Sequence, residues 1–208
     1  LIALSVQQTF RDFDLPVPSR EDVIGFMGVP IEIYFARLGG EKFHTLDPDA
    51  VFARYRTLFK NMVEGGALYA FPGVPELLSG IKNAGMKTGI VTSKATEPAK
   101  HSCEMAGIAG HIDVFVGSDI IENYKPAPDT VYKCLELLGL DAGPDVLVVG
   151  DAEGDIGMGK SAGCTTCAVT WGAHDRARLG LQKPDFVAES LTELAGMLIP
   201  GECRMPLS

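Results

Sequence analysis

Val146-Leu-Val-Val-Gly150-Asp151-Ala-Glu-Gly154-Asp155 is the stretch on which the reading of this chain turns. Its unbroken apolar run, rich in β-branched valine, predicts a strand from Val146 to Val149 buried on both faces, as strands of parallel sheets are. A carboxylate follows at the strand tip and another four residues later, at the mouth of a predicted helix from Asp155 to Ala162. In sheets of this kind reacting groups lie beyond the carboxyl ends of the strands. Two acidic groups converging there can hold a hard dication through oxygen ligands, with the remaining positions left to water and phosphate. Taken singly, Asp155 also reads as a helix N-cap and Asp151 as a turn residue. That plainer reading does not say why a strand end and a helix mouth should both be acidic.

Outward from this strand the chain alternates short apolar runs with amphipathic helices. Strands are predicted at Lys87 to Val91, Val114 to Gly117, Thr165 to Trp171 and Phe186 to Ala188, and helices at Glu97 to Ala106, Asp129 to Leu138 and from Leu191 onward. The alternation implies an α/β fold, a parallel sheet with helices on both faces. Before Phe71-Pro72-Gly73 the rhythm is different. Leu1, Leu4, Val6, Phe10 and Phe13 recur at helical spacing, Ser19 with Asp22 forms an N-cap signal, and Asp47-Pro48 opens a run to Glu64 carrying Val51, Tyr55, Leu58, Phe59 and Met62. Residues 1–70 are therefore expected to form a small helical domain and residues 71–208 the α/β domain.

Two other strand ends carry polar groups. Gly89-Ile-Val-Thr92-Ser93-Lys94 brings hydroxyls and a helix start to the end of an apolar run, offering O–H and backbone N–H donors to an anion; a simple Ser/Thr cap is the alternative. Glu122-Asn-Tyr-Lys125-Pro126-Ala-Pro128-Asp129 fixes a lysine before two prolines, which restrict its backbone and so aim its ammonium; in isolation a solvated lysine explains it equally.

Several patterns lead elsewhere and fail. Gly154-x-x-x-x-Gly159-Lys160-Ser161 matches the phosphate-loop pattern, but Asp-Ala-Glu separates it from its strand and Asp155 would put negative charge inside a phosphate cradle. A calcium loop starting at Asp151 has Ile156 where glycine is required. Cys164 and Cys167 form a C-x-x-C within a β-type run, where positions three apart point to opposite faces. His44, His101, His111 and His174 show no ligand spacing and read as surface or loop residues.

Composition sets outer bounds. The 208 residues are 46% apolar and 22% charged with a net charge of −9, which argues for a folded chain and against nucleic-acid binding, since no basic excess neutralises phosphates. No apolar run reaches the ~20 residues of a membrane-spanning helix, and the odd count of 5 cysteines suits a reducing compartment. A cytoplasmic location without membrane partners is expected.

In order, a Thr at one strand end, a Lys before Pro-x-Pro and a Gly-Asp-x-x-x-Asp at a third strand end resemble the haloacid dehalogenase superfamily of hydrolases. Phe71-Pro-Gly-Val-Pro-Glu-Leu-Leu, Ser118-Asp119 and Val169-Thr-Trp-Gly172 resemble its phosphoglycolate-phosphatase-like branch. The resemblance implies a Rossmann-like core with a helical cap at the N-terminal side. It also implies a Mg²⁺-dependent phosphatase of a small phosphorylated metabolite such as phosphoglycolate, working through an aspartyl-phosphate. Thr92 would hydrogen-bond the transferring phosphoryl group, with Ser93 beside it. Lys125 would neutralise the phosphoryl oxygens and the nucleophile, and Asp151 with Asp155 would hold Mg²⁺. Such a set is physically required, because an anionic phosphate must approach a carboxylate nucleophile.

The family's first motif, a strand ending in Asp-x-Asp-Gly-Thr that carries the nucleophile, has no counterpart here; Asp12-Phe13-Asp14 ends a helix and is followed by Leu-Pro. The implied sheet then lacks its central strand, between those ending at Thr92 and Asp151, leaving backbone groups there without ladder partners. An intact enzyme is expected to begin upstream of Leu1, with residues 1–208 alone inactive. A shortened relative that binds phosphate or a partner without turnover is the alternative, and an uncovered gap would then favour pairing between chains; oligomeric state is otherwise not legible. A haloacid dehalogenase is a further alternative, opposed by the paired Asp151 and Asp155. In the cap, Phe26-Met-Gly28-Val-Pro30-Ile-Glu32 carries no basic residue where phosphosugar mutases of the branch have arginine, which favours hydrolysis.

Overall fold

The computed structural model describes residues 1–199, which form one unit over Leu1–Leu68 and another from Tyr69 onward. The first is helical: α1 (Ile2–Asp12), α2 (Arg20–Gly25), α3 (Ile31–Phe43) and α4 (Pro48–Met62), the last running into a π-turn at Val63–Ala67. Its helix starts are local chemistry. Ser19 Oγ accepts the Asp22 N–H while the Asp22 carboxylate accepts the Ser19 N–H, a reciprocal capping box. Asp47 accepts the Asp49 N–H with Pro48 at the first helical position, where a missing N–H costs nothing. Phe35, fully buried, is surrounded by the rings of Phe10, Tyr34, Phe52 and Tyr55 at centroid distances of 5.1–5.7 Å. Of the α1 residues read as one face, Val6 and Phe10 are buried but Leu4 is exposed, because it sits about 200° round the helix from Val6.

The second unit is α/β. In chain order it holds α5 (Val74–Asn83), β1 (Gly89–Val91), α6 (Thr96–Met105), β2 (Val114–Val116), α7 (Asp129–Leu138), β3 (Leu147–Gly150), α8 (Glu153–Ser161), β4 (Thr165–Val169), α9 (Arg176–Gly180), β5 (Phe186–Ala188) and α10 (Leu191–Leu198). Every strand pairing is parallel: β1 with β2, β3 with β4, and β4 with β5. The strands form two sheets, β1-β2 and β3-β4-β5. Among the described residues no ladder joins β1 to β3, where the sequence leads one to expect an absent strand.

Helices cover both faces of the three-stranded sheet, and the alternation of β4 shows it. Cys167 and Val169 pack with Leu77 and Ile81 of α5 and Leu194 of α10, while Ala168 packs with Ile156 of α8 and Leu179 of α9. Cys164, just before β4, lies instead with Val131, Leu135 and Met158. The C-x-x-C thiols therefore occupy cores on opposite faces, both buried and unpaired by disulfide. Helix α7 spans the break, since Val131 and Leu135 pack with Val148 of β3 and with Val91 of β1. Among the described residues no helix is long and apolar enough to cross a membrane.

The phosphate-loop look-alike lies wholly inside helical or helix-capping backbone. A Cβ on Gly159 would come within 2.7 Å of Thr166 Cγ2 and 2.9 Å of Val148 Cβ, so this glycine lets α8 sit close on the sheet. Lys160 reaches Asp185, not an anion cradle. The Asp185 carboxylate accepts the Thr166 N–H at 2.9 Å and the Thr166 hydroxyl at 2.6 Å, joining the start of β4 to that of β5. These hydrogen bonds, with Lys160 adding to them, hold its carboxyl down at about 2 from an ordinary 3.8.

A depressed folded-state value means stability that is present above the unfolded pKa and lost as pH falls through the folded one. Asp185→Asn should therefore cost no more than about 1 kcal/mol at pH 7, because the carboxylate is 43% exposed and screened by solvent, with the gap to the parent narrowing between about 3.8 and about 2. Urea midpoints at pH 7 and pH 3 measure it.

Candidate active site

Lys125 is the centre of the polar cluster beyond the strand ends. Its loop is closed by Asp129 at the start of α7, whose Oδ1 accepts the Asn123 main-chain N–H at 3.1 Å and its side-chain amide at 2.9 Å. The Lys125–Pro126 peptide is cis. The segment rests on α8 where that helix has no side chains: a Cβ on Gly157 would meet Pro126 Cβ at 2.8 Å and one on Gly154 would meet Lys125 Cβ at 3.3 Å. So placed, the lysine side chain is only 7% exposed. Its Nζ donates to Asp155 Oδ1 at 2.7 Å and to the Val91 carbonyl at 3.1 Å. The ammonium thus links the last residue of β1 to the acidic turn after β3, one strand end on each side of the break.

The acidic turn is built by short-range bonds. Asp155 occupies the third position of α8 and its Oδ2 accepts the Ala152 N–H at 3.0 Å. Helix capping and pairing with lysine therefore share one carboxylate, an oxygen apiece. A Cβ on Gly150 would sit 2.1 Å from Asp155 Cβ, so the strand tip has to be glycine for the carboxylate to lie there. Asp151 opens the turn, and its Oδ2 accepts the Ala173 N–H at 2.8 Å. Its carbonyl accepts the His174 N–H at 3.0 Å.

Thr92 follows β1 directly. Its N–H donates to the Val116 carbonyl at 3.0 Å, continuing the ladder, and its Oγ1 accepts the Lys94 N–H at 3.2 Å. The local Ser/Thr turn is real. Ser93 lies half-buried in the same turn. The start of α6 is closed by Asp119, whose Oδ1 accepts the Thr96 N–H at 2.7 Å and its hydroxyl at 2.8 Å. That helix start, read from sequence as donors for an anion, already holds a carboxylate. Asp12 and Asp14, the one Asp-x-Asp near the start, are engaged within the helical unit by Arg54 and Lys42.

His174 departs from the sequence reading. It lies in a loop but is 4% exposed, with its Nδ1 accepting the Glu153 N–H at 3.1 Å. No sequence spacing marks it, since it touches the acidic turn only because β4 runs parallel beside β3. Glu153 in turn accepts from Arg178 Nε. Among the described residues no three His, Cys, Asp or Glu side chains cluster as a metal cage; the acidic side chains of the turn are Asp151, Asp155 and Glu153, the last paired with Arg178.

The chain matches the family model described as haloacid dehalogenase-like hydrolase over residues 1–169. It is 34% identical to the pyrophosphatase PpaX of Bacillus cereus, over 95% of this chain and 88% of that protein. It is 28% identical to the phosphoglycolate phosphatase of Aquifex aeolicus, again over 95% and 88%. Among solved structures it is similar to a predicted phosphoglycolate phosphatase from Haemophilus somnus, with a TM-score of 0.79 at 25% identity, covering 95% of this chain and 88% of that one.

Lys125→Met leaves Asp155 buried without its cation and should cost about 3 kcal/mol. Adding Asp155→Asn should recover part of that loss, so the two changes are less than additive. Denaturant unfolding of the two single variants and the double variant gives the coupling.

Proposed function

Because the chain belongs to the haloacid dehalogenase-like hydrolase family, we propose that it is a Mg²⁺-dependent phosphoric monoester hydrolase acting on a small phosphorylated metabolite. The observation that carries the proposal is the Lys125 ammonium, buried at a shared position between the end of β1 and the Asp155 carboxylate. A buried cation at the strand ends is what an anionic group approaching a carboxylate nucleophile needs. The names of the pyrophosphatase and phosphoglycolate phosphatase relatives support phosphate chemistry.

In this reading Lys125 neutralises phosphoryl oxygens, while the Thr92 hydroxyl and the Ser93 turn donate hydrogen bonds to them. Asp151 and Asp155 would hold the metal. A donor set of two carboxylates fits Mg²⁺, which is bound through one or two carboxylates with water and phosphate completing its shell. When bound, Mg²⁺ supplies further positive charge against the phosphoryl group. Residues 1–70 are the substrate-selecting cap. The nucleophile is an aspartate from an Asp-x-Asp-Gly-Thr strand, a motif that does not occur in residues 1–208; such a strand would pair between β1 and β3.

The test compares residues 1–208 alone with the same residues joined to the sequence encoded upstream, assayed for phosphate release from p-nitrophenyl phosphate with Mg²⁺ and with chelator. The longer protein is expected to turn over only with metal, Asp151→Asn to lower its rate about 100-fold, and the shorter one to be inert. An inert longer protein that carries the motif would overturn the hydrolase reading. Full activity on a haloacid after chelation would point to a dehalogenase instead.

A further inference from the structure

We propose that His174 is a positioning residue that holds the acidic turn Asp151–Asp155 in shape; the inference deepens the phosphatase reading and rests on it for the turn's purpose. The segment following β4 grips the turn at three successive points. The Ala173 N–H donates to Asp151 Oδ2 at 2.8 Å, the His174 N–H donates to the Asp151 carbonyl at 3.0 Å, and His174 Nδ1 accepts the Glu153 N–H at 3.1 Å. The fit is close: a Cβ on Gly172 would lie 2.1 Å from Asp151 Oδ2.

The imidazole contact is the informative one. Glu153 is the first residue of α8, so its N–H has no acceptor within the helix, and a ring nitrogen from the loop after β4 supplies one. To accept, Nδ1 must carry its lone pair, so the ring proton resides on Nε2. That Nε2 is buried and has no hydrogen-bond partner among the described residues. The three contacts tie the Asp151 carboxylate, the peptide after it and the first turn of α8 to β4 and not only to their own strand. Two carboxylates separated by a flexible turn would have to be ordered on binding a cation, and outer contacts of this type typically change metal affinity about 10-fold or more when removed.

Three measurements test it, two of them independent of catalysis. First, long-range ¹H–¹⁵N spectra of the unmutated 208-residue chain at neutral pH should show His174 as the Nε2–H tautomer, with a scalar coupling from the Glu153 amide to Nδ1. An Nδ1–H tautomer overturns the proposal. Second, His174→Leu should speed exchange of the Glu153 amide roughly tenfold, whereas His174→Asn, whose Oδ1 can replace Nδ1 as acceptor, should keep it slow. An unchanged rate in H174L, or an H174N as fast as H174L, overturns it, and if H174L fails to fold the tautomer and H174N results decide. Third, in a catalytically complete protein H174L should raise the half-saturating Mg²⁺ concentration about 10-fold, with H174N restoring it. If the protein proves not to be a phosphatase the third measurement has no signal, while the first two still stand or fall on the turn itself.

Discussion

The Lys125 ammonium is the constraint around which this α/β unit is arranged. Burying a cation is expensive unless it is paired and hydrogen-bonded, and here the partners come from opposite sides of a break in the sheet: the Val91 carbonyl from β1 and the Asp155 carboxylate from the turn after β3. Helix α7 adds apolar contact across the same break through Val131 and Leu135. The charge therefore does structural work at the place where chemistry is expected. Its position requires α8 to offer glycine at 154 and 157, since side chains there would push the Lys125-Pro126 segment away.

The acidic turn shows how helix capping and site construction coincide. Asp155 satisfies the Ala152 N–H with one oxygen and Lys125 with the other. A carboxylate at the third helical position favours the helix by the usual local rules, and the same rules aim its second oxygen at the lysine. The contest between a mere cap and a functional ligand, which the sequence leaves open, is therefore not exclusive. Asp151 differs, because its side chain and its carbonyl are both held from the loop after β4. Its orientation depends on a neighbour about twenty residues away in the chain and adjacent in the sheet.

Much of the fold was legible because it rests on short-range signals. The Ser19–Asp22 capping box, the Asp47-Pro48 start, the helix from Asp129 to Leu138 and the strand from Phe186 to Ala188 stand where the sequence puts them. Boundaries moved where a side chain from elsewhere took over a backbone group. The strand read from Lys87 begins at Gly89, since the Thr88 N–H and hydroxyl go to Asp113 and the His111 carbonyl. Helix α8 begins at Glu153, ahead of Asp155, because Asp155 bonds backward to Ala152.

What the sequence by itself determined was the period and punctuation of the chain: apolar runs of strand length alternating with amphipathic helices, and polar groups at three strand ends. Those signals are local, arising from residues a few positions apart, and they carried the α/β class; the resemblance to the haloacid dehalogenase-like hydrolases needed the order of motifs far apart in the chain, and the family match over residues 1–169 bears it out. Only the tertiary structure decided that Lys125 meets Asp155, that the start of α6 is already occupied by Asp119, and that a loop histidine without any telling spacing is buried against the acidic turn. These contacts join residues separated by 21 to 30 positions. Parallel pairing brings such residues together, and no local pattern records which side chain will fill the space between two neighbouring strand ends.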